Sequence, residues 1–130
     1  MVRILAVTRY SVLALVVLHV LSASSAQAAG DPVKGATIFR RCATCHSVQE
    51  GGSNKAGPGL FGVIGRKVAS LSGYMYSMAM ESADFVWTED KLISFLTHPQ
   101  QILPGTKMPF GGLSSVEDAS NIVAYLASLK

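Results

Sequence analysis

Hydrophobic and polar positions along this chain alternate with helical spacing in several segments and with strand spacing in none. The spacing predicts four helices, at residues 32 to about 42, 76 to 83, 89 to 97, and from 114 toward the C-terminus. The first helix follows Asp31 and opens with Pro32, a capping residue and a first-turn proline. The third follows Thr88 as its N-cap and ends before Pro99. The predicted fold class is therefore all-α.

The last predicted helix begins at a capping box, Ser114-x-x-Glu117, and then carries apolar residues three and four positions apart. Two long segments between the helices have no periodic pattern. Residues 47–73 are rich in glycine, and residues 102–112 mix glycine with proline. Loops of this length inside a compact domain usually enclose a ligand or serve a function. We therefore expect an all-α domain with long loops.

The first 28 residues have the composition of an export signal. Arg3 and Arg9 precede an apolar run at residues 11–21, and small residues follow, ending Ala26-Gln27-Ala28. The run is much shorter than the ~20 apolar residues that a membrane-spanning helix needs. We predict a secretory signal over residues 1–28 that is cleaved after Ala28, and one domain over residues 29–130. A signal retained as a membrane anchor is the alternative.

Removal of this signal changes the charge of the chain. The whole sequence has a formal net charge of +3, whereas residues 29–130 hold nine Lys and Arg against eight Asp and Glu. No basic block or stripe is present, which argues against nucleic-acid binding. A domain of about 100 residues buries limited surface on folding, so a bound cofactor would add needed stability.

The only two cysteines form the motif Cys42-Ala43-Thr44-Cys45-His46. This is the attachment pattern for a c-type haem, in which the two thiols bond to the haem vinyl groups and the adjacent histidine binds the iron. Three alternatives are weaker. A disulfide would close too small a loop to stabilise much, a thioredoxin-like pair would need a βαβ pattern, and a zinc site would need a second pair of ligands.

The second axial position of the iron decides what such a protein does. The candidate ligands in the predicted domain are His98, Met75, Met78, Met80 and Met108. Methionines mostly fill cores, and we interpret Met75 and Met78 in that way. His98 stands at a helix end, where a histidine is commonly exposed. Met108 lies in the irregular Pro/Gly segment, where a role in helix packing is unavailable, so it is the favoured ligand.

The sequence resembles the class I cytochromes c, the group of mitochondrial cytochrome c and small soluble bacterial cytochromes c, over residues 30 to 130. The matching stretches are residues 35–39, 57–60, 65–67, 73–77, Trp87, 104–108 and 124–126. The resemblance implies a fold in which the N- and C-terminal helices pack together and long loops wrap one haem. It also implies one covalently bound haem c with iron, held through Cys42 and Cys45.

By the same resemblance, His46 and Met108 are the iron ligands, and the carbonyl of Pro58 accepts the ring N–H of His46. The residues expected to bond the buried haem propionates are Arg66, Tyr76 and Trp87. These roles agree with elementary chemistry, because a ligating histidine needs an acceptor that orients its ring and buried carboxylates need donors.

Three features depart from the family pattern. Phe95 stands where a tyrosine is usual near the ligating sulfur, and Met80 stands where mitochondrial members usually have asparagine. Both changes leave ligation intact and bear on the redox potential. The ring of lysines around the haem edge is reduced to Arg41, Lys55 and Lys107, which bears on the choice of partner.

These observations predict a soluble, monomeric, periplasmic electron carrier rather than an enzyme, because a His/Met-ligated iron has no open position for substrate. The expected donors are a cytochrome bc complex or a dehydrogenase, and the expected acceptors are an oxidase, a reductase or a photosynthetic reaction centre. The alternative function is a haem enzyme, peroxidase-like or gas-binding, with a displaceable methionine.

Overall fold

The computed structural model of the chain describes residues 29–130 and contains five helices. They are α1 (Pro32–Phe39), α2 (Met78–Glu81), α3 (Glu89–Thr97), α4 (Pro99–Ile102) and α5 (Val116–Ala127). Extended pairing in this part of the chain amounts to a single antiparallel bridge between Lys67 and Val86. The predicted all-α fold class is confirmed. The predicted secretory signal lies outside the described residues.

Helices α1 and α5 cross closely because glycine lies at the crossing point. A Cβ on Gly35 would stand 1.9 Å from the backbone oxygen of Asn121, so only glycine lets the two backbones approach. The buried Asn121 side chain accepts a hydrogen bond from the Asp31 amide at 2.7 Å, which ties the start of α1 to α5. Beside the crossing, the ring centroids of Phe39 and Tyr125 lie 5.5 Å apart. The predicted packing of the N- and C-terminal helices is thus present.

The hydrophobic core lies between α5 and the elements packed on it. Ile122 and Val123 of α5 are each 1% exposed, and Leu92 and Phe95 of α3 are buried against the same helix. Removing these side chains from water is the main favourable contribution to folding. The core therefore holds α1, α3 and α5 in place, and the long loops start and end on this frame.

Two helix starts follow the local capping chemistry expected from the sequence. The Asp31 side chain accepts from the Val33 amide at 2.8 Å, and Thr88 Oγ1 accepts from the Lys91 amide at 3.2 Å. Each bond satisfies an amide that has no partner within the helix. Both predicted N-caps are confirmed.

The predicted start of the last helix is wrong by one residue. Ser115, not Ser114, has the extended backbone of an N-cap, and its hydroxyl accepts from the Asp118 amide at 3.1 Å. Glu117 then falls in the second helical position, where it cannot complete the predicted capping box. Adjacent serines offer the same hydroxyl, and the packing of α5 decides which one caps the helix.

Three other helices, α1, α2 and α4, differ from the prediction. Helix α1 ends at Phe39, because the chain tightens into turns in which the Cys42 amide donates to the Phe39 carbonyl at 2.8 Å. Helix α2 is shorter than the predicted 76–83, and the short α4 was not predicted. No helix within residues 29–130 is long and apolar enough to cross a bilayer.

We predict that Gly35→Ala destabilises the protein by at least about 2 kcal/mol, because the new methyl group would collide with the backbone of α5 and force α1 outward. The matched control is Gly111→Ala, where a Cβ would meet nothing within 4 Å. We expect the control to change the free energy of unfolding by no more than about 0.5 kcal/mol. Denaturant unfolding followed by circular dichroism measures both. Equal midpoints for the two variants would contradict this account of the crossing.

Candidate functional site

The two cysteines and His46 occupy one tight turn directly after α1. The amides of Cys45 and His46 both donate to the Cys42 carbonyl, each at 3.0 Å. The two cysteines form no disulfide and are half-buried, and burial raises the pKa of the Cys42 thiol. The turn therefore presents two sulfur atoms and one imidazole from five consecutive residues.

The His46 ring is held in one orientation by a backbone carbonyl. Its Nδ1 lies 2.8 Å from the Pro58 oxygen. Burial lowers the pKa of His46, although the bond to Pro58 acts in the opposite direction. A neutral ring that donates from Nδ1 leaves the lone pair of Nε2 available, which is the form that binds a metal ion.

Gly57 makes the close approach of this loop possible. A Cβ at Gly57 would lie 2.3 to 2.8 Å from three atoms of the His46 ring. The loop is further pinned to the cysteine turn, since the Gly57 amide donates to the Cys45 carbonyl at 2.8 Å and the Lys55 ammonium donates to the Ala43 carbonyl at 2.8 Å. The backbone of Gly57 thus packs against the His46 ring, and Nε2, the nitrogen that does not bond Pro58, is left to bind a metal ion.

Arg66 and Tyr76, two predicted cofactor-binding residues, lie near each other on the following loops. Arg66 is half-buried and donates to the Gly59 carbonyl at 2.8 Å, and burial lowers the pKa of its guanidinium. Burial raises the pKa of Tyr76, with the Leu71 backbone and Arg66 acting against it. The salt bridges found within the described part of the chain do not include Arg66. A half-buried cation without an acidic partner suits an acidic ligand group.

The third predicted residue of this group, Trp87, is buried in an aromatic cluster. Its ring centroid lies 4.8 Å from that of Phe85 and 5.2 Å from that of Phe95. Phe95, one of the departures from the family pattern, is only 4% exposed and belongs to the core. The cluster joins the predicted site to α3, and through α3 to α5.

Met108 is half-buried in an irregular loop and packs against the core. The Gln100 side chain holds this loop from both ends of its amide group: it donates to the Thr106 carbonyl at 3.2 Å and accepts from the Gly105 amide at 3.3 Å. The Lys107 ammonium donates to the Met75 carbonyl, which ties the loop to the segment before α2. The three residues that precede Met108 are therefore held by bonds to α4 and to the segment before α2.

The other ligand candidates divide by exposure. Met75 and Met78 are 80% and 82% exposed, so their prediction as core residues is wrong. The segment between Gly73 and α2 runs along the surface, and Met80 instead packs against the core from α2. His98 is exposed, with Nδ1 3.0 Å from Thr97 Oγ1.

Thr106 is a candidate site residue that sequence reasoning missed. It is 7% exposed, and its hydroxyl has no hydrogen-bond partner in the structure. A buried hydroxyl without a partner is costly, so a ligand atom beside it would be stabilising. The only signal in the sequence was its place two residues before Met108, within a stretch that matches the family.

These residues fit a haem. The turn offers two thiols and an oriented imidazole. Elsewhere in the described residues, the Arg66 guanidinium has no acidic partner and the Thr106 hydroxyl has no hydrogen-bond partner, so both suit polar groups of a ligand. Within residues 29–130, no group of three or more His, Cys, Asp and Glu side chains is placed to hold a metal ion. Fold and site together define a small all-α protein of the c-type haem class.

Comparison with known proteins identifies the family. The family model described as Cytochrome c matches residues 32–130, so the chain belongs to the cytochrome c family. Members carry one haem attached through a cysteine pair, here Cys42 and Cys45, and act as electron carriers with redox partners. The predicted membership of the class I cytochromes c is confirmed.

Individual relatives agree with this assignment. The chain is 46% identical to cytochrome c of Gibberella zeae over 100 residues, which cover 76% of this chain and 94% of that protein. It is 43% identical to cytochrome c-554 of Methylosinus trichosporium over 115 residues, 88% of this chain and 87% of the relative. Among solved structures, cytochrome cH from Methylobacterium extorquens superposes with a TM-score of 0.71 at 35% identity, covering 76% of this chain and 99% of that one.

We predict that Gly57→Ala lowers the yield of protein with covalently attached haem and destabilises it by about 1 to 3 kcal/mol, because the methyl group would push the His46 ring from its place. Gly59→Ala is the matched control, since a Cβ there would meet its nearest atoms only at 3.7 Å. Haem content per chain and the denaturation midpoint measure the effect. If the control loses as much as Gly57→Ala, close contact with His46 is not the cause.

Proposed function

We propose that this chain carries single electrons with its iron bound between His46 and Met108. Haem supplies a one-electron Fe(III)/Fe(II) couple when bound, and methionine as a ligand raises its potential. The observation that carries the proposal is the placement of Met108. It is half-buried in a loop that Gln100 and Lys107 tie down, whereas Met75, Met78 and His98 face water. Met80, which is also half-buried, lies in helix α2 and not in this loop.

The surrounding residues have roles that follow from their contacts. Pro58 orients the imidazole of His46 through the 2.8 Å bond, and a ring that donates to a carbonyl is a better electron donor to iron. We assign the donors of Arg66, Tyr76 and Trp87 to the propionates. The half-buried guanidinium of Arg66, which has no acidic partner among residues 29–130, supports this assignment most directly, because it would offset the charge of a buried carboxylate.

A filled coordination sphere leaves no open position for a substrate. The chain would then exchange electrons with other proteins and perform no bond chemistry of its own. The alternative function, a peroxidase-like or gas-binding haem enzyme, requires a methionine that leaves the iron readily. The bonds that hold the Met108 loop at Gly105, Thr106 and Lys107 favour the electron carrier.

The proposed partners are a membrane complex of the cytochrome bc type or a dehydrogenase as donor, and an oxidase, reductase or reaction centre as acceptor. Arg41, Lys55 and Lys107 are the basic residues expected near the exposed edge. Two of their side chains are engaged: Lys55 donates to the Ala43 carbonyl, and Lys107 lies 4.8 Å from the Tyr74 ring centroid. These contacts leave the charges of both lysines in place, but three basic side chains are few, so we propose weak electrostatic steering by a monomeric carrier.

We also propose that the protein is exported to the periplasm with residues 1–28 as its cleaved signal. The support is the order of basic, apolar and small residues in that segment. The match to cytochrome c-554 of Methylosinus trichosporium spans 115 residues, more than the 102 residues of 29–130, so the likeness extends into this segment.

Substitution of Met108 tests the proposed ligation. Met108→Ala should keep its haem, because Cys42 and Cys45 still hold it, but the reduced variant should bind carbon monoxide stoichiometrically. Met80→Ala, which removes the other half-buried methionine, should exclude carbon monoxide as the unmodified protein does. Visible spectra under carbon monoxide provide the measurement. If Met108→Ala still excluded carbon monoxide, Met108 would not be the ligand. If Met80→Ala bound carbon monoxide, Met80 would be the ligand instead.

Salt dependence tests the proposed docking. Because only a few basic side chains are expected near the edge, the electron-transfer rate with the natural partner should fall by less than about tenfold between low and physiological ionic strength. Arg41→Gln should flatten this dependence only slightly. Stopped-flow rate constants over a salt series measure it. A loss of several orders of magnitude would reveal a concentrated charged patch and contradict the proposal.

A further inference from the structure

Met75 and Met78 face the solvent at 80% and 82% exposure, which is unusual for a side chain that normally fills cores. Thioether sulfur is readily oxidised, and accessible sulfur reacts first. Both cysteines of this family are bonded to haem, so no free thiol in residues 29–130 would compete for an oxidant in the loaded protein. Met75 and Met78 are then the most accessible oxidisable sulfur atoms in this part of the chain.

The backbone that carries these two residues is held in place. The Tyr74 hydroxyl donates to the Ala56 carbonyl at 2.9 Å, and Ser77 caps α2 by accepting from the Met80 amide at 3.3 Å. The carbonyl of Met75 accepts from the Lys107 ammonium. The outward direction of the two side chains is therefore set by bonds on both sides of the segment.

The same bonds place the exposed pair beside the Met108 loop. Lys107 immediately precedes Met108, and its ammonium reaches the backbone of Met75. Met108 and Met80 are half-buried and pack against the core. A small oxidant in water thus meets two exposed thioethers next to a loop whose own thioether is shielded.

We propose that Met75 and Met78 are sacrificial oxidation sites that consume peroxides before these reach Met108. With hydrogen peroxide, the thioether loses two electrons and forms a sulfur–oxygen bond, the O–O bond breaks, and the second oxygen leaves as water with both hydrogens. A methionine sulfoxide reductase, with a dithiol as reductant, would restore each site. The protective role rests on the proposed ligation of iron by Met108.

Peptide mapping tests the sites themselves. The oxidised holoprotein is treated with limiting hydrogen peroxide, quenched with catalase, and digested for mass spectrometry. Sulfoxide should form at Met75 and Met78 several-fold faster than at Met80 and Met108. Equal rates, or faster oxidation of Met108, would overturn the proposal. Coordination to iron would itself slow oxidation of Met108, so the comparison with Met80, which is not the proposed ligand, tests exposure alone.

A variant pair tests the protection. In Met75→Leu/Met78→Leu, leucine keeps the exposed apolar surface but cannot accept oxygen. This variant should lose the sulfur-to-iron charge-transfer band at a lower dose of peroxide than the unmodified protein does. The difference in dose should be up to about two equivalents per chain, one for each missing sulfur. Val33→Leu/Val86→Leu, a change at two other exposed apolar positions, should match the unmodified protein.

A double methionine variant that loses the band at the unmodified dose would overturn the proposal. Failure of the ligation proposal would give a different result from failure of the oxidation proposal. If Met108 is not the ligand, Met108→Ala keeps the charge-transfer band, while the peptide map of the unmodified protein still shows sulfoxide at Met75 and Met78.

Discussion

The contact of the His46 ring with the loop below it is the constraint on which the site depends. The ring packs on the backbone of Gly57, where no side chain would fit, and its Nδ1 lies 2.8 Å from the Pro58 oxygen. A half-buried imidazole needs that acceptor, and the acceptor needs a loop that returns to the cysteine turn. The glycine-rich segment after the motif therefore has a defined path, even though no regular structure supports it.

The helices supply the frame from which this path starts. Gly35 lets α1 approach α5, and the cysteine turn follows α1 directly, so the helix crossing sets where the two sulfur atoms lie. Trp87 and Phe95 join the predicted propionate-binding residues to α3 and the core. Burial of apolar surface between α1, α3 and α5 thus positions polar groups that lie outside the helices.

The loops are ordered by bonds from side chains to backbone. Gln100 holds the Met108 loop, Arg66 bonds the Gly59 carbonyl, and Tyr74 bonds the Ala56 carbonyl. Such bonds satisfy backbone groups that a helix would have satisfied internally. They also leave some groups for a ligand: the hydroxyl of Thr106 has no partner. Bound haem would act as part of the core as well as the redox centre, which accounts for how few helical residues the domain needs.

By itself the sequence determined the features that depend on neighbouring residues. The cysteine–histidine motif, the all-α class and the caps at Asp31 and Thr88 involve groups a few positions apart, so their chemistry is visible in the order of residues. The tertiary structure decided the rest. In it, Ser115 rather than Ser114 caps α5, the Thr106 hydroxyl is buried, and the side chains of Met75 and Met78 face the solvent. Exposure depends on which distant segments pack against a side chain, and an apolar residue in an irregular loop has no local pattern that records its environment.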